Sequence, residues 1–340
     1  MKNATLFERK KLLNILEKLK PGLAPYDTLE QASSFVFKDG FIWSFNDEIA
    51  VSHPLPDDIE FNGAVPAEPL LKFLTKCSED KIKLIAGEKE LLVVSGKSQA
   101  GITLEDAKLP VEKIPMPKED GWLTVPKDFT SKLHLAALSA EKGRNTNILS
   151  CINITNRLAF GCDNFQLTVA IFSKPVKGLE SVLLQRSMVP FVLAFIPDAM
   201  AQIGGWIHFI NKDDVVLSCR AGEGKYPDVM SLLDVSGKSV KLPVELSVSL
   251  ERAGIFTSQQ NEENKVTLTL DKTGILQVVA KNEHGWFKET LELKNKQLEF
   301  QLAVDPEILR NALKLDQTFI VGESAILIKG DEFKHIVSLV

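Results

Sequence analysis

The sequence predicts an α+β fold made of three similar domains, each with two helices packed on antiparallel sheets. Its 340 residues, 44% of them hydrophobic and 25% charged, suit a folded protein of two or three ordinary domains. Alternating apolar residues on either side of polar turns predict β-hairpins, and amphipathic stretches between the hairpins predict helices. This order of elements recurs three times, and the repeat sets the number of domains.

Equivalent positions of the repeat are separated by 117 to 120 residues. Hairpin turns that are 117 residues apart in both intervals lie at Gly40, Arg157 and Gly274. Helices spaced by 119 and 120 residues open at Val65-Pro66, Leu184-Gln185 and Val304-Asp305. Two further helices, again 117 residues apart, open at Val125-Pro126 and Leu242-Pro243. Because three independent anchors share one period, we predict domains at residues 1–119, 120–236 and 237–340.

Each repeat contributes two helices, and proline or aspartate in a first turn suits the free amide groups there. The first helix is predicted from Phe7 to Leu19, and the others fall within residues 66–77, 126–144, 185–200, 243–258 and 305–315. One face of the first helix is apolar and is expected to be buried, and it carries Leu12, Leu13, Leu16 and Leu19.

Residues that commonly carry catalysis or bind metals are scattered along the chain. The four cysteines form no Cys-x-x-Cys pair and are expected to be buried, reduced thiols, at Cys77, Cys151, Cys162 and Cys219. The five histidines lie far apart, so we predict no metal site. Ser95-Gly96-Lys97-Ser98 is similar to the end of a phosphate-binding loop, but Leu91 occupies the position of a required glycine. We therefore predict a strand-turn-strand there, and a non-catalytic protein without a cofactor.

The sequence carries no pattern typical of membrane insertion or export. No apolar run approaches the ~18 residues that span a bilayer. The N-terminus is too highly charged and too short in apolar length for a signal peptide. Together with the cysteine usage, this predicts a cytoplasmic protein.

The net charge of −5 is unevenly distributed along the chain. With the first segment counted over residues 2–20, the six predicted helical segments sum to +6 and the rest of the chain to −11. Lys72 and Lys76 stand one turn apart on one helix, and Arg310 and Lys314 occupy the equivalent places 238 residues later. A single basic helix face is most often simply solvated, but its repetition favours a shared positive surface that meets a polyanion.

Four stretches in this order resemble the bacterial DNA polymerase III beta subunit family, the sliding clamps, over nearly the whole chain. They are Val65-Pro66-Ala67, Val93–Ser98, Glu180–Arg186 and Tyr226-Pro227-Asp228. The resemblance implies three DNA-clamp domains per chain and a head-to-tail homodimer that forms a six-domain ring. Its helices would face double-stranded DNA through sequence-independent phosphate contacts, and its sheets would form the outer wall. It also implies a processivity role, in which the ring tethers a DNA polymerase.

Basic residues on or beside the helices form the predicted DNA-binding set. They are Lys10, Lys11, Lys18, Lys72, Lys76, Lys127, Lys142, Arg144, Arg252, Arg310 and Lys314. Two departures from the family weaken this surface, so we expect modest DNA affinity per ring. Residues Tyr26–Glu30 replace a loop that carries a basic DNA contact in the family, and Phe191 and Phe195 occupy basic positions on the fourth helix.

The resemblance further implies a pocket between the second and third domains for short hydrophobic peptides of the polymerase and the clamp loader. The matching residues are Leu149, Asp163, Asn164, Phe165, Gln166, Leu167, Leu233, Val240, Ile336, Val337, Ser338, Leu339 and Val340. An apolar groove with polar edges suits leucine or phenylalanine anchors, and the alternative is that several of these residues belong to strand cores. Cys162–Leu167 departs from the family's Thr-Asp-Gly-His-Arg-Leu, and the family's terminal Met-Pro-Met-Arg-Leu is missing, so peptide preference is expected to differ.

Four residues match the subunit interface that the resemblance implies, namely Ala100, Ile102, Ile255 and Phe256. Ala100 stands where the family often has a bulky residue, and Phe256 where a smaller aliphatic one is common. We predict that Phe256 of one subunit fills the space left by Ala100 of the other. Pairing of edge strands between subunits would also cover exposed backbone groups.

Two other functions remain open from the sequence. One is a β-rich structural or assembly protein with the same repeat and no DNA role, and the other is a hydrolase whose site is assembled only by the fold. The basic helix faces favour a clamp over the first, and the scattered nucleophiles and metal ligands argue against the second. A short, divergent clamp fits the bacterial cytoplasm, or the host cytoplasm if a phage encodes it.

Overall fold

A computed structural model of the chain describes residues 4–27, 29–55, 61–143, 147–257, 264–293 and 298–340. Within these residues the fold is α+β, as the sequence predicts, with six α-helices and four β-sheets. The chain divides into two compact units, residues 1–130 with 176–222 and residues 131–175 with 223–340. The division into three repeated domains stays a prediction.

The helices lie inside the six predicted segments and are shorter than them. They are α1 (Arg9–Leu19), α2 (Ala67–Lys76), α3 (Phe129–Ala137), α4 (Val189–Phe195), α5 (Leu246–Ala253) and α6 (Pro306–Leu313). The strands of the first half of the chain are β1 (Ala4–Glu8), β2 (Ser34–Lys38), β3 (Phe41–Phe45), β4 (Ile49–Pro54), β5 (Gly63–Pro66), β6 (Lys81–Ala86), β7 (Glu90–Ser95), β8 (Ser98–Thr103), β9 (Leu123–Thr124), β10 (Cys151–Thr155), β11 (Leu158–Cys162) and β12 (Gln166–Ile171). Those of the second half are β13 (Ser181–Gln185), β14 (Ala199–Ile203), β15 (Trp206–Ile210), β16 (Val216–Arg220), β17 (Lys238–Lys241), β18 (Val266–Leu270), β19 (Ile275–Asn282), β20 (Gly285–Glu292), β21 (Phe300–Val304), β22 (Thr318–Val321), β23 (Ala325–Lys329) and β24 (Phe333–Ser338).

Two sheets belong to the first unit. One has eight strands in the order β5-β2-β3-β4-β16-β15-β14-β9, and the other has four in the order β1-β6-β7-β8. Helix α1 buries Leu12, Leu16 and Leu19, each at most 1% exposed, which stabilises the helix through its apolar face. Leu13, the fourth predicted member of that face, is only half-buried, and Ile15 is buried in its place.

The start of the first helix is a correction to the sequence analysis. Phe7 lies in strand β1, and α1 begins at Arg9. Phe7 pairs with Ile82 across the antiparallel β1–β6 ladder, and its side chain is 5% exposed. Pairing with a strand that is distant in sequence therefore determines its conformation.

The second unit repeats the same design. Seven of its strands are hydrogen-bonded in the order β10-β11-β12-β24-β23-β22-β17, and four more in the order β20-β19-β18-β21. Helices α5 and α6 pack together over one continuous core. From these helices the core takes Leu246, Leu250, Ala253, Leu309 and Ala312, each at most 1% exposed.

Each long sheet joins strands from consecutive predicted domains. In the first unit Val51 of β4 lies opposite Leu217 of β16, and in the second unit Leu167 of β12 lies opposite Ile336 of β24. Both pairs are antiparallel, so the backbone groups of these strands are satisfied across the predicted boundaries.

Two local predictions can be compared with the structure. Residues 95–98 form the turn between β7 and β8, with Gly96 at φ +58, so the strand-turn-strand prediction is confirmed. All four cysteines are free thiols. Cys151, Cys162 and Cys219 are buried as expected, whereas Cys77, at the end of α2, is only half-buried.

Candidate functional site: a basic helix surface and an apolar pocket

The predicted DNA-binding residues of the first unit are mostly free of carboxylates. Lys10, Lys11, Lys76 and Lys127 are exposed, and none forms an ion pair among the described residues. The two exceptions are Lys18, 3.0 Å from Asp213, and Lys72, which pairs with Glu68 one turn earlier on α2. Hydrogen bonding and attraction to these lysines lower the pKa of both carboxyl groups.

The predicted DNA-binding residues of the second unit are mostly paired. Lys142 lies 3.6 Å from a Glu307 oxygen, and Arg310 lies 3.4 Å from a Glu251 oxygen. The Arg252 guanidinium donates to both oxygens of Glu289 on β20, at 2.6 and 2.8 Å, and thereby lowers the pKa of that carboxyl group. The Lys314 ammonium donates to Asn311 on α6 at 2.9 Å. The predicted residue Arg144 lies outside the described residues.

Helix α4 contributes apolar side chains where the other second helices of the repeat carry lysine or arginine. Phe191 and Phe195 line a small cavity of about 200 Å³ in the first unit, together with Val51 and Leu217. The cavity is bordered by Lys18, whose ammonium pairs with Asp213. These two phenylalanines therefore take part in packing, in agreement with a weaker charge on this helix.

An apolar pocket of about 760 Å³ lies in the second unit, within the size range of sites that bind small ligands. Seven predicted residues line it, namely Asp163, Asn164, Phe165, Gln166, Leu167, Ile336 and Ser338. Leu167 and Ile336 pair across β12 and β24 and are 2% and 6% exposed, so they form an apolar floor. Phe165 is 53% exposed at the rim.

The loop that carries Phe165 is held in place by hydrogen bonds. Asp163 Oδ1 accepts from the backbone N–H groups of Phe165 and Gln166 at 2.8 and 2.9 Å, and its Oδ2 accepts from the Gln166 side chain at 3.0 Å. The Ser338 N–H donates to the Phe165 carbonyl at 2.7 Å. The Cys162 N–H donates to the Tyr226 hydroxyl at 3.0 Å, and burial raises the pKa of the Cys162 thiol. The loop is thus preorganised on the strand ends that it connects.

Six predicted pocket residues do not line the pocket. Val240 and Val337 are 1% exposed within the core, and Leu339 packs against that core. Val337 points away because side chains alternate along a strand, so its neighbours Ile336 and Ser338 reach the pocket instead. The others are Leu149, Leu233 and Val340, of which the first two are half-buried in 3-10 turns. Val340 donates its N–H to the Ala303 carbonyl at 2.9 Å.

Two loops that the sequence did not predict complete the pocket. One supplies Ser231, Leu232, Asp234, Val235 and Ser236, and the other is the β22–β23 turn with Gly322, Glu323, Ser324 and Ala325. Leu232, 57% exposed, takes the wall position that was predicted for its neighbour Leu233. A local signal was present only in the turn-forming composition of residues 231–237.

The predicted interface residues lie on one edge strand and in one 3-10 turn. Ala100 and Ile102 are on β8, at the edge of its sheet, and Ile102 is 6% exposed. Ile255 is 71% exposed in the 3-10 turn after α5, whereas Phe256 stacks on Phe287 with ring centroids 6.4 Å apart. Trp286, on the edge strand β20, is 68% exposed and was not predicted.

Among the described residues, no group of three or more His, Cys, Asp or Glu side chains could hold a metal ion. In the same part of the chain, every helix is too short or too polar to cross a membrane.

Comparison with known proteins defines the class of fold. No protein-family model and no curated protein matches the sequence. The structure has the fold of DNA sliding clamps, the beta subunits of DNA polymerase III, along its entire length.

Three solved structures illustrate the likeness. The beta subunit from DNA polymerase of Streptococcus pyogenes has a TM-score of 0.84 and 17% identity, over 99% of both chains. The DNA polymerase III beta subunit of Thermotoga maritima gives 0.81 and 18%, over 99% of both chains. A sliding clamp from Pseudomonas aeruginosa, bound to griselimycin, gives 0.83 and 16% over 100% of both chains. At this identity the likeness establishes the fold, and the fold class predicted from the sequence is confirmed.

Proposed function

We propose that this protein is a DNA sliding clamp, a non-catalytic ring that encircles duplex DNA and tethers a polymerase to it. The observation that carries the proposal is the likeness to clamp structures over the full length of both chains, at TM-scores of 0.81 to 0.84. A processivity factor needs a closed, sequence-independent DNA contact rather than an active site. The protein would act in the bacterial cytoplasm, or in a host's cytoplasm if it is phage-encoded.

The DNA contact proposed here uses the basic residues on or beside the helices. Exposed lysines without carboxylate partners release counterions from phosphates when they bind, and the contact carries no base information. Lys10, Lys11, Lys76 and Lys127 meet that description. Such contacts form and break readily, as sliding requires.

The apolar pocket is the proposed attachment point for a polymerase or clamp-loader peptide. A floor of Leu167 and Ile336 suits a leucine or phenylalanine anchor, and the rim residues Phe165 and Leu232 extend the apolar surface. The hydrogen-bonded loop at Asp163 lowers the entropy that binding costs, because the rim is already ordered.

Ring closure requires a homodimer, and two features support one. Strands β8 and β20 both end a sheet and leave a row of backbone donors and acceptors open for pairing. Trp286 is exposed on β20 and Ile255 is exposed beside it, and a partner subunit would cover both side chains.

Sedimentation equilibrium combined with negative-stain electron microscopy tests the ring. We expect a species of about twice the 37.7 kDa chain mass, seen as a closed ring with a central hole. Trp286→Ser should weaken the dimer at least about tenfold, as is usual for a buried interface tryptophan. Tyr26→Ser removes an aromatic side chain of similar exposure, 69% against 68% for Trp286, from a loop and should leave the dimer unchanged. Monomers at all accessible concentrations would contradict the proposal.

A further inference from the structure

The pocket of the second unit is bordered by acidic side chains and by no basic one. Among its described lining residues, Asp163, Asp234 and Glu323 carry charge, and all three are negative. The nearest basic residue in the adjoining strand is Lys238, which pairs with Val321 on β22 and is not part of the lining. The pocket therefore presents a negative rim around an apolar floor.

The three carboxylates differ in whether they have hydrogen-bond partners within the protein. Both oxygens of Asp163 accept hydrogen bonds within its own loop, so this residue has a structural role. Asp234 and Glu323 are exposed, and neither makes a side-chain hydrogen bond or an ion pair with any described residue. They are therefore available to a ligand.

Three other carboxylates of the second unit have a basic partner. Glu251, Glu289 and Glu307 each lie within 3.6 Å of a lysine or arginine nitrogen. At the mouth of the apolar cavity, Asp234 and Glu323 have no such partner among the described residues. Complementary charges across an interface raise association rates and discriminate against partners of like charge.

We propose that this pocket selects peptides whose apolar anchor residues are flanked by lysine or arginine. Leu167 and Ile336 would receive the anchor, and Asp234 and Glu323 would meet the flanking ammonium or guanidinium groups. The inference rests on the proposed peptide-binding function of the pocket and specifies its partner. A pocket with this preference would discriminate against acidic peptides even when their apolar anchor residues fit equally well.

Three fluorescein-labelled peptides with the same central leucines and phenylalanine test the proposal. Their flanking residues are lysine in one peptide, glutamine in the second and glutamate in the third. Fluorescence anisotropy with the full chain should show the lysine peptide binding about five- to tenfold tighter than the glutamine peptide at low salt, with the glutamate peptide weakest. The difference should shrink at about 0.5 M salt, because both carboxylates are exposed to screening ions.

Matched variants assign the preference to these carboxylates. The double variant Asp234→Asn with Glu323→Gln should bind the lysine and glutamine peptides equally. Asp331→Asn neutralises an exposed carboxylate at the opposite end of the β23–β24 hairpin and should keep the preference. Leu232→Ser should weaken all three peptides by the same factor, since it removes apolar contact only.

The possible outcomes separate this inference from the proposed function. Equal binding of the three peptides, abolished by Leu232→Ser, would overturn the charge preference and leave the peptide pocket intact. Tighter binding of the glutamate peptide, or an equal loss in Asp331→Asn, would also overturn it. Absence of binding by any peptide would overturn both the preference and the peptide pocket. Self-association that competes with the peptides and is lost in Leu232→Ser would replace the peptide with a second copy of the chain.

Discussion

The two units carry basic residues on equivalent helices but differ in how many of these residues are paired with carboxylates. In the first unit four predicted DNA-binding lysines are exposed without a carboxylate partner among the described residues, and in the second unit Lys142, Arg252 and Arg310 are each paired with a glutamate. A paired cation must exchange its carboxylate for a phosphate, so its net gain on binding DNA is small. If the proposed function holds, unpaired cations rather than total charge define the surface that contacts DNA.

The largest expected effect comes from removing the free lysines of the first unit. Changing Lys10, Lys11, Lys76 and Lys127 to alanine should lower the slope of log K against log salt by up to about 0.9 per lysine. At 0.1 M salt, one decade below 1 M, this corresponds to a loss of affinity of up to about 4 × 10³-fold. Fluorescence anisotropy with a labelled duplex across a salt series measures both quantities.

The matching control is the set Lys142→Ala, Arg252→Ala, Arg310→Ala and Lys314→Ala. If the comparison holds, this second-unit variant changes the slope by less than half as much as the first-unit variant. Equal changes in slope would show that ion pairing within the chain does not limit DNA contact.

The two units should lose stability together in acid, because each contains one buried histidine. His208 shares a 2.8 Å hydrogen bond with the Ser218 hydroxyl, and His335 shares one of the same length with Thr168. Burial lowers the pKa of each histidine to about 4, from an ordinary value of 6.5. Between pH 6.5 and about 4, the unfolded state binds a proton on each histidine that the folded state does not. The free energy of unfolding is therefore unaffected above pH 6.5 and falls as the pH is lowered to about 4, by at most about 3 kcal/mol per histidine.

Urea unfolding as a function of pH checks this acid sensitivity. The slope of the unfolding free energy between pH 6.5 and 4 should decrease in His208→Gln and in His335→Gln by similar amounts. The slope is the informative quantity, since either substitution also changes packing. A wild-type slope that both variants retain would contradict the assignment.

A smaller effect should follow from freeing the paired cations of the second unit. Glu251→Gln with Glu307→Gln releases Arg310 and Lys142, and we expect duplex DNA to bind about two- to fivefold tighter at low salt. Glu299→Gln releases Lys272, which lies outside the helices and 3.5 Å from its partner, and should not change DNA affinity. An increase of the same size in Glu299→Gln would show that the tighter DNA binding follows from net charge and not from the release of Arg310 and Lys142.

The smallest effect concerns the way α4 and α6 end. Ile196 caps α4 in the left-handed region at φ 51, a conformation that disfavours a β-branched residue, whereas Lys314 caps α6 at φ −73. Ile196→Gly should raise the free energy of unfolding by about 0.5–1 kcal/mol, and Lys314→Gly should lower it by about the same amount. Denaturant unfolding curves measure the two changes, and destabilisation by Ile196→Gly would argue against strain at this cap.

Much of the fold follows from local sequence patterns. The repeat located all six helices, because proline, aspartate and amphipathic spacing act within a few residues. The helix ends were less well predicted. The sequence predicts a helix from Phe7, but pairing with the distant Ile82 makes Phe7 a strand residue.

The candidate site was predicted in part, and its gaps have physical causes. The loop from Asp163 to Leu167 was found, as were Ile336 and Ser338, whereas Val337 was included although it alternates to the core face. The ion pairs that distinguish the two units join residues far apart in sequence, such as Lys142 and Glu307. No local pattern encodes them, so the number of unpaired cations could not be obtained by counting charges.

Retention on circular DNA tests the central claim most directly. With a clamp loader present, the protein is assembled on nicked circular DNA, and its retention in gel filtration is compared before and after the circle is cut. A topologically linked ring remains on the circle and dissociates from the linear ends at about 0.15 M salt, where phosphate contacts alone are weak. Equal retention on the two forms would show that the protein binds DNA without encircling it, and would contradict the proposed function.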